Sequence, residues 1–404
     1  RTHGWLSISS IVKRRLKDDV LSVDLSGALV WRPISGWYRS GLGRRRWIRL
    51  SLKYGKLSKL GVRYQAVVTD DHAILTPNGW CAAGELKTDE LVVTGEPAPN
   101  LAQRELLDGT MLGDASISRR NFSVGHVDKD YVMAKYLAFK SLGAKIHGPY
   151  KNKHSTVGAR PFWRVDLPSA MWIAVQKKRW YPEGKKRVPR DLKITPMLLA
   201  AWYFDDGTGG YGKTSSFATH GFLREDVEWL SAKLKGFGVP NTVVGMEERG
   251  CLIRLGHAAT RKLMLIISDY APASMRRKIG ARISFRRELW ELGEPMAGVQ
   301  PVIVEESEDK LENAFCIDVK DTQNFVSPTA VLHNCTQFNQ DTALIFINQL
   351  RNDMGVTFGN PERLPGGKGL KFHVSLMVRT RRGAWLTDAD MAEDELPDLD
   401  TVLQ

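Results

Sequence analysis

Little in this sequence points to secretion or to a membrane. Its four cysteines, Cys81, Cys251, Cys316 and Cys335, are scattered and lack metal-site spacing, which excludes a disulfide framework and fits free thiols in a reducing cytoplasm. Long apolar runs are absent too. The longest, "MLLAAWYF" and "ALIFI", fall far short of the ~20 residues that cross a bilayer. There is no low-complexity segment. The chain opens on Arg1 with no Met, basic n-region or apolar h-region, so no signal peptide is visible, and it reads as a fragment cut at its start.

Acidic charge is in deficit. Lys and Arg number 58 against 45 Asp and Glu, a net charge of +13. The excess is clustered in "VKRRLK", "GRRRWIRLSLKYGKLSK", "KKRWYPEGKKRVPR" and "MRRKIGARISFRR", all before Glu305 and interleaved with Trp and Tyr. A solvated basic face explains any one cluster; four favour a polyanionic partner, most simply nucleic acid. The tail "TDADMAEDELPDLDT" is acidic throughout.

At 404 residues the chain holds two to four domains. Residues 1–98 alternate apolar and polar between Gly, Asn-Gly and Asp bends, as short strands do. From about Leu101 the spacing turns helical in "LAQRELLDGTMLGD", "KDYVMAKYLAFKSLG", "TPMLLAAWYFDD" and "LREDVEWLSAKLKGFG", with strand-like pieces between them. Short strands return around residues 293–334. After Cys335, "TALIFINQL" reads as a strand buried on both faces. The order is β, α+β, β, then a foreign segment, which predicts one domain inserted inside another.

Two passages of the α+β region are alike, "LLDGTMLGDAS" (Leu106–Ser116) and "LLAAWYFDDGTGG" (Leu198–Gly210). Gly109 and Gly113 in one, Ala201 and Asp205 in the other, put short residues on one helical face, where two helices could approach closely. Each passage then ends in an acid, Asp114 or Asp206. A carboxylate at a helix C-terminus opposes the dipole, at a cost of about 0.3–1 kcal/mol. A duplicated cost implies a compensating cation, and paired carboxylates suit a hard ion such as Mg²⁺ that activates water for phosphodiester cleavage. On the residues alone, two ordinary amphipathic helices with solvated acidic ends stay open.

Both passages resemble the two LAGLIDADG motifs of a single-chain homing endonuclease. "KKRVP" (Lys185–Pro189) resembles that family's Lys-x-Ile/Val-Pro block, and the resemblance implies Lys186 near the cleavage centre. The same resemblance implies that "MRRKIG" holds the matching lysine of the other half, Lys278. The second motif departs from the family's apolar pattern at Trp202. Directly after it, "GTGGYGKT" (Gly207–Thr214) fits the P-loop pattern, but a P-loop needs a strand leading in and a helix leading out, and here the order is reversed. Those glycines are expected to cap the helix.

The flanking β segments contain "VVTDDHAIL", "GWCAAGELKTDELVV" and "AFCIDVKDTQNFVSPTAVLHN". These resemble the conserved blocks of an intein, a self-splicing insert on the horseshoe-like HINT β fold. The resemblance implies that Thr69 and His72 polarise an upstream scissile peptide and that His333 assists cyclisation of Asn334. Cys335 would then be the acceptor nucleophile opening the downstream host sequence, and Cys316 would coordinate the two junctions. Gln323 stands where the family often has His. The usual leading Cys or Ser is not in the chain. A rarer class uses an internal Cys at the Cys316 position, with Trp and Thr companions whose places Ile74 and Leu332 occupy here, so truncation is the simpler account.

"TALIFINQLRNDMGVTFGNPERLPGGKGLKFHVSLMVRTRR" resembles the RecA recombinase family around its second DNA-binding loop, with Asn348-Gln349 ending a strand near the ATP γ-phosphate. ATP and single-stranded DNA would be partners only of the intact host. The expected architecture is therefore multidomain: an all-β HINT horseshoe (1–98 and 293–334) split by an α+β LAGLIDADG endonuclease (99–292), followed by an α/β RecA-like fragment (335–404). The expected activity is protein splicing plus cleavage of double-stranded DNA, in a RecA-like host. The rivals are a recombinase carrying an inactive passenger and a free-standing endonuclease fused to unrelated β modules.

Overall fold

The computed structural model describes residues 5–53, 65–119, 121–150, 161–246, 250–280, 290, 292–309 and 311–334, together with two short strands beyond them. Two compact units result, Arg1–Thr336 and Gln337–Gln404. In the second unit the described residues are β20 (Arg351–Asn352) and β21 (Glu362–Arg363), an antiparallel pair named here ahead of chain order. Cys335, Asn348 and Asn348's neighbour Gln349 lie outside the described residues.

The first unit begins with helix α1 (Ile8–Arg14) and seven strands, β1 (Asp19–Val23), β2 (Leu29–Gly41), β3 (Trp47–Leu52), β4 (Gln65–Thr69), β5 (Ala73–Thr76), β6 (Gly79–Ala82) and β7 (Leu91–Ala98). Next come α2 (Leu101–Leu112), β8 (Ser116–Ser118), β9 (Asn121–His126), α3 (Lys129–Phe139), β10 (Lys145–Tyr150), β11 (Phe162–Leu167) and α4 (Met171–Trp180). The same succession then recurs as α5 (Pro196–Asp206), β12 (Gly207–Thr208), β13 (Ser215–Ala218), α6 (Arg224–Gly236), β14 (Thr242–Met246), β15 (Gly250–Leu255) and α7 (His257–Ile267), closed by the short α8 (Arg276–Ile279). Four strands end the unit: β16 (Met296–Glu306), β17 (Asn313–Val319), β18 (Asn324–Val326) and β19 (Val331–His333).

Strands from the two ends of this unit interleave. β17 joins β2, β16 lies between β3 and β7, and β19 lies between β18 and β5. Alternation puts Leu50, Ile74, Val92, Val302, Ile317 and Leu332 into one core drawn from both ends of the unit. The α+β stretch leaves and rejoins this β region at neighbouring positions, because Met296 pairs with Ala98 and Ala297 with Pro97. Asn100 fastens the junction. Its side chain caps α2 through the Gln103 N–H, in a reciprocal box with the Gln103 side chain, and donates to the carbonyls of Leu292 and Glu294.

The two halves of the middle region share a strand order. β8-β9-β11-β10 and β12-β13-β15-β14 are four-stranded antiparallel sheets with the same connectivity. One apolar cluster joins α2, α5 and their surrounding elements. Trp202 is fully buried and stacks on Phe217 of β13, with ring centroids 4.1 Å apart, so the departure from the apolar motif pattern fills the core of its own half.

Helices α2 and α5 meet along the small residues. A Cβ on Gly109 would collide with the Leu198 carbonyl oxygen and stand 2.7 Å from the Ala201 Cβ; one on Gly113 would stand 2.5 Å from the Asp205 Cβ. No rotamer change relieves a clash with backbone. Gly109→Ala should therefore destabilise the protein by about 1–3 kcal/mol, read as a lowered midpoint in thermal unfolding. An unchanged midpoint would show that the helices do not need this approach.

Candidate functional site

The helix pair delivers the acids. Pro196 at the first turn and the Thr195 side chain, which accepts from Leu198 N–H, start α5; the helix runs to Asp206 itself. Helix α2 ends at Leu112, so Asp114 lies just past the C-cap Gly113 rather than within the last turn. Because Gly113 abuts Asp205, the two chain ends carrying Asp114 and Asp206 emerge side by side.

Asp205 is a third carboxylate beneath them. Its Oδ1 accepts from Tyr131 Oη at 2.7 Å and from Lys135 Nζ at 2.5 Å, both on α3, and both ion-pair side chains are almost wholly buried. Its Oδ2 is buried with no hydrogen-bond partner among the described residues. Desolvation first, then the negative charge of Asp205, pushes Asp114 up to about 6, against the pull of Lys135 and Lys278. Asp114 retains an exposed surface at the rim while protein surrounds it. Asp206 is raised for the same reasons, desolvation leading.

Two lysines close the helix ends. Lys186 Nζ donates to the carbonyls of Ala115 at 2.8 Å and Gly113 at 3.4 Å, beside Asp114. Lys278 Nζ donates to Phe204 at 2.7 Å and Gly207 at 3.1 Å, beside Asp206. The two lysines thus occupy equivalent places in the two halves, each on carbonyls at or just past a helix end. Burial lowers Lys186 to about 8 and lowers Lys278.

The glycine-rich "GTGGYGKT" forms the β12–β13 hairpin rather than a phosphate cradle or a helix cap beyond Gly207. Gly210 runs so close to Lys278 that a Cβ there would lie 2.7 Å from its carbonyl oxygen, and Tyr211 N–H donates to Ile279 O at 3.1 Å. The glycines let the hairpin hold the lysine segment in place.

A divalent ion fits this donor set. Crowded carboxylates with raised proton affinity and an orphaned buried oxygen are what a cation would relieve, and the lysines leave the carboxylate oxygens unused. The described residues contain no ready-made cage of three or more His, Cys, Asp or Glu ligands. An ion at this place would be held by one or two carboxylates and completed by water or phosphate oxygens.

In the β region, Thr69 is buried at the end of β4, and its carbonyl accepts from His72 N–H at 3.0 Å. Both residues line a largely apolar cavity of about 800 Å³ whose wall also includes Trp5, Phe325 and Leu332. Phe315 and Ile317 face this cavity, whereas Cys316, between them on β17, is buried opposite Tyr38 of β2. His333 and Asn334 stand together on another strand end. His333 Nδ1 is 2.8 Å from the Asn334 carbonyl oxygen, and its ring meets Trp80 edge-on at 4.8 Å. Asn334 N–H donates to Gln323 O at 2.8 Å. Its carboxamide is braced on Val319, accepting from N–H at 3.2 Å and donating to the carbonyl at 3.3 Å. Ile74 and Leu332 are direct cross-strand partners.

Residues 104–263 match the sequence profile of the LAGLIDADG DNA endonuclease family, and residues 326–396 match the RecA N-terminal domain. The chain carries a LAGLIDADG endonuclease domain within a RecA-like protein. Curated relatives include Protein RecA of Mycobacterium shimoidei, 27% identical over 94% of this chain and 89% of that protein. Protein RecA of Ruminococcus albus is 48% identical over 12% of each chain. Among solved structures, the homing endonuclease I-WcaI bound to its DNA recognition sequence aligns at 21% identity and a TM-score of 0.40, covering 46% of this chain and 89% of its own. Among the described residues no helix is long and apolar enough to cross a membrane.

Sequence reasoning does not single out the three residues packed beneath the two acids. Asp205 was read only as a short residue at the helix contact, and Tyr131 and Lys135 were unmarked. The signal was there in the Asp205-Asp206 doublet and in a lysine on the apolar face of "KDYVMAKYLAF".

The raised Asp114 carboxyl sets a pH dependence for the metal-free protein. The folded state holds this proton more tightly than the unfolded state, whose carboxyl keeps the ordinary value of 3.8, so the stability gained from it is full below that value. It is lost as pH climbs through about 6. Denaturant midpoints taken across this window should fall with rising pH, and Asp114→Asn should flatten the decline. An equally steep decline in the variant would assign it to another group.

Proposed function

We propose that the chain is an intein with two chemistries, self-catalysed protein splicing and site-specific cleavage of double-stranded DNA, lodged in a RecA-like host. The single observation that carries the nuclease reading is the pair of acids, Asp114 and Asp206, set together by the Gly109–Gly113 contact, each beside a lysine on its own helix end. The two four-stranded sheets and the basic clusters of the middle region supply contacts along the duplex backbone. A bound divalent ion, Mg²⁺ in this reading, supplies Lewis-acid activation of water at the scissile phosphate. Asp114 and Asp206 hold and orient it, while Lys186 and Lys278 keep the helix ends closed and place a proton donor beside each acid.

The splicing reading rests on His333 and Asn334. The Asn334 side-chain nitrogen attacks its own main-chain carbonyl carbon; the bond to the Cys335 nitrogen breaks, and a proton passes to that leaving amine. With its proton on Nδ1, His333 polarises the carbonyl under attack. Val319 holds the carboxamide through both its oxygen and its nitrogen, which orders the attacking group beside the strand end. Thr69 and His72 act at the upstream junction, Cys335 as the acceptor nucleophile and Cys316 between the two steps.

The cleavage site can be recovered by incubating the protein and Mg²⁺ with a plasmid library of randomised inserts and sequencing the cut ends. Asp114→Asn or Asp206→Asn should abolish cutting yet retain binding in a gel-shift assay, and binding should weaken steeply with salt. Cutting that survives both substitutions removes these acids from the site. A parent protein that cuts nothing leaves a RecA-like protein with an inactive insert.

Splicing has its own test. Mass spectrometry of the purified chain over time should detect a released segment beginning at Cys335. Asn334→Ala should eliminate it, and His333→Ala should slow it by about a hundredfold or more. Release that persists in Asn334→Ala would refute cyclisation.

A further inference from the structure

Each lysine that closes a helix end sits next to an arginine that reaches into the opposite half of the endonuclease domain. Lys186 closes α2, in the first half. Its neighbour Arg187 donates through Nε to Asp226 Oδ2 at 2.7 Å and through Nη2 to Asp226 Oδ1 at 3.2 Å, on α6 of the second half. Arg190 adds a contact to Asp226 at 2.8 Å, and Val188 N–H adds one at 3.3 Å. The Asp226 side chain is fully buried, so this clamp is a deliberate tie rather than a loose surface pair. The Lys186 ammonium also lies over the Phe222 ring of the second half at 5.5 Å.

The arrangement is reciprocal. Lys278 closes α5, in the second half, and its neighbour Arg277 donates to Asp128 Oδ2 at 3.0 Å, at the N-cap of α3 in the first half. The other Asp128 oxygen caps α3 by accepting from Tyr131 N–H at 3.1 Å. Tyr131 in turn donates to Asp205, next to Asp206.

We propose that Asp226 and Asp128 are positioning residues, each holding from across the domain the arginine that sets a lysine beside the other half's acid. The inference rests on the endonuclease reading and adds a division of labour to it. Asp226 serves the Lys186–Asp114 end, and Asp128 serves the Lys278–Asp206 end. Each half is incomplete until the other docks, so the two lysine–acid ends assemble together.

The test uses the full chain, Mg²⁺ and the recovered plasmid site with the two strands labelled differently; cutting by the parent protein is the separate control on the endonuclease reading. Lys186→Ala and Lys278→Ala first identify the strand that depends on each lysine. Asp226→Asn should then slow the Lys186 strand by about tenfold or more, as expected for a misplaced group, and leave the other strand within about twofold, giving nicked circles. Asp128→Asn, which preserves the helix cap, and Arg277→Gln, whose side chain is largely exposed, should slow the Lys278 strand instead. Should Asp226→Asn fail to fold, these two variants still decide the matter. Equal slowing of both strands, or slowing of the opposite strand, overturns the proposal, because a merely structural role would not distinguish them.

Discussion

Two glycines bring α2 and α5 together, and the chemistry of the middle region depends on that approach. With no Cβ at Gly109 or Gly113, the backbone of one helix lies against the other. Both chain ends then emerge at one place. Any larger residue would push the helices apart and separate Asp114 from Asp206 before it altered either half's own core. Packing here is a constraint on electrostatics, since the distance between negative charges is set by the smallest residues in the interface.

The electrostatics are unfavourable on their own terms. Three carboxylates gather where two helix dipoles present their negative ends, with Asp205 buried and the other two partly desolvated by the protein around them. Different cations divide the burden. Lys135 neutralises Asp205 in the interior, whereas Lys186 and Lys278 bind main-chain carbonyls and leave the carboxylate oxygens free. The result is negative potential kept at the rim, facing the place where a phosphodiester and its counter-ion would arrive.

How much was legible in the sequence varies with the kind of information each residue carries. The small-residue spacing named the helix contact correctly, because helical periodicity alone puts Gly109, Gly113, Ala201 and Asp205 on facing sides. Alternating patterns on both sides of a helical stretch suggested one domain inside another, but not which early strand pairs with which late one. The Asp205–Lys135–Tyr131 network was hidden because it joins residues roughly seventy positions apart, a distance over which local patterns say nothing. The braced pose of Asn334 on Val319 was equally invisible, because it joins the ends of two different strands, β17 and β19, through a side chain.

The junction formed by β7, β16 and Asn100 bears on how such a chain could arise. The ends of the α+β stretch are already neighbours in a ladder, so the β region experiences the whole stretch as though it were a hairpin turn. Loop-closure entropy grows only with the logarithm of length, and a stretch that folds on itself with its ends adjacent avoids most of even that. Ancestors with and without it could therefore have shared one β framework. The α+β stretch would then be a passenger that the framework could acquire or lose without rebuilding a single strand pair.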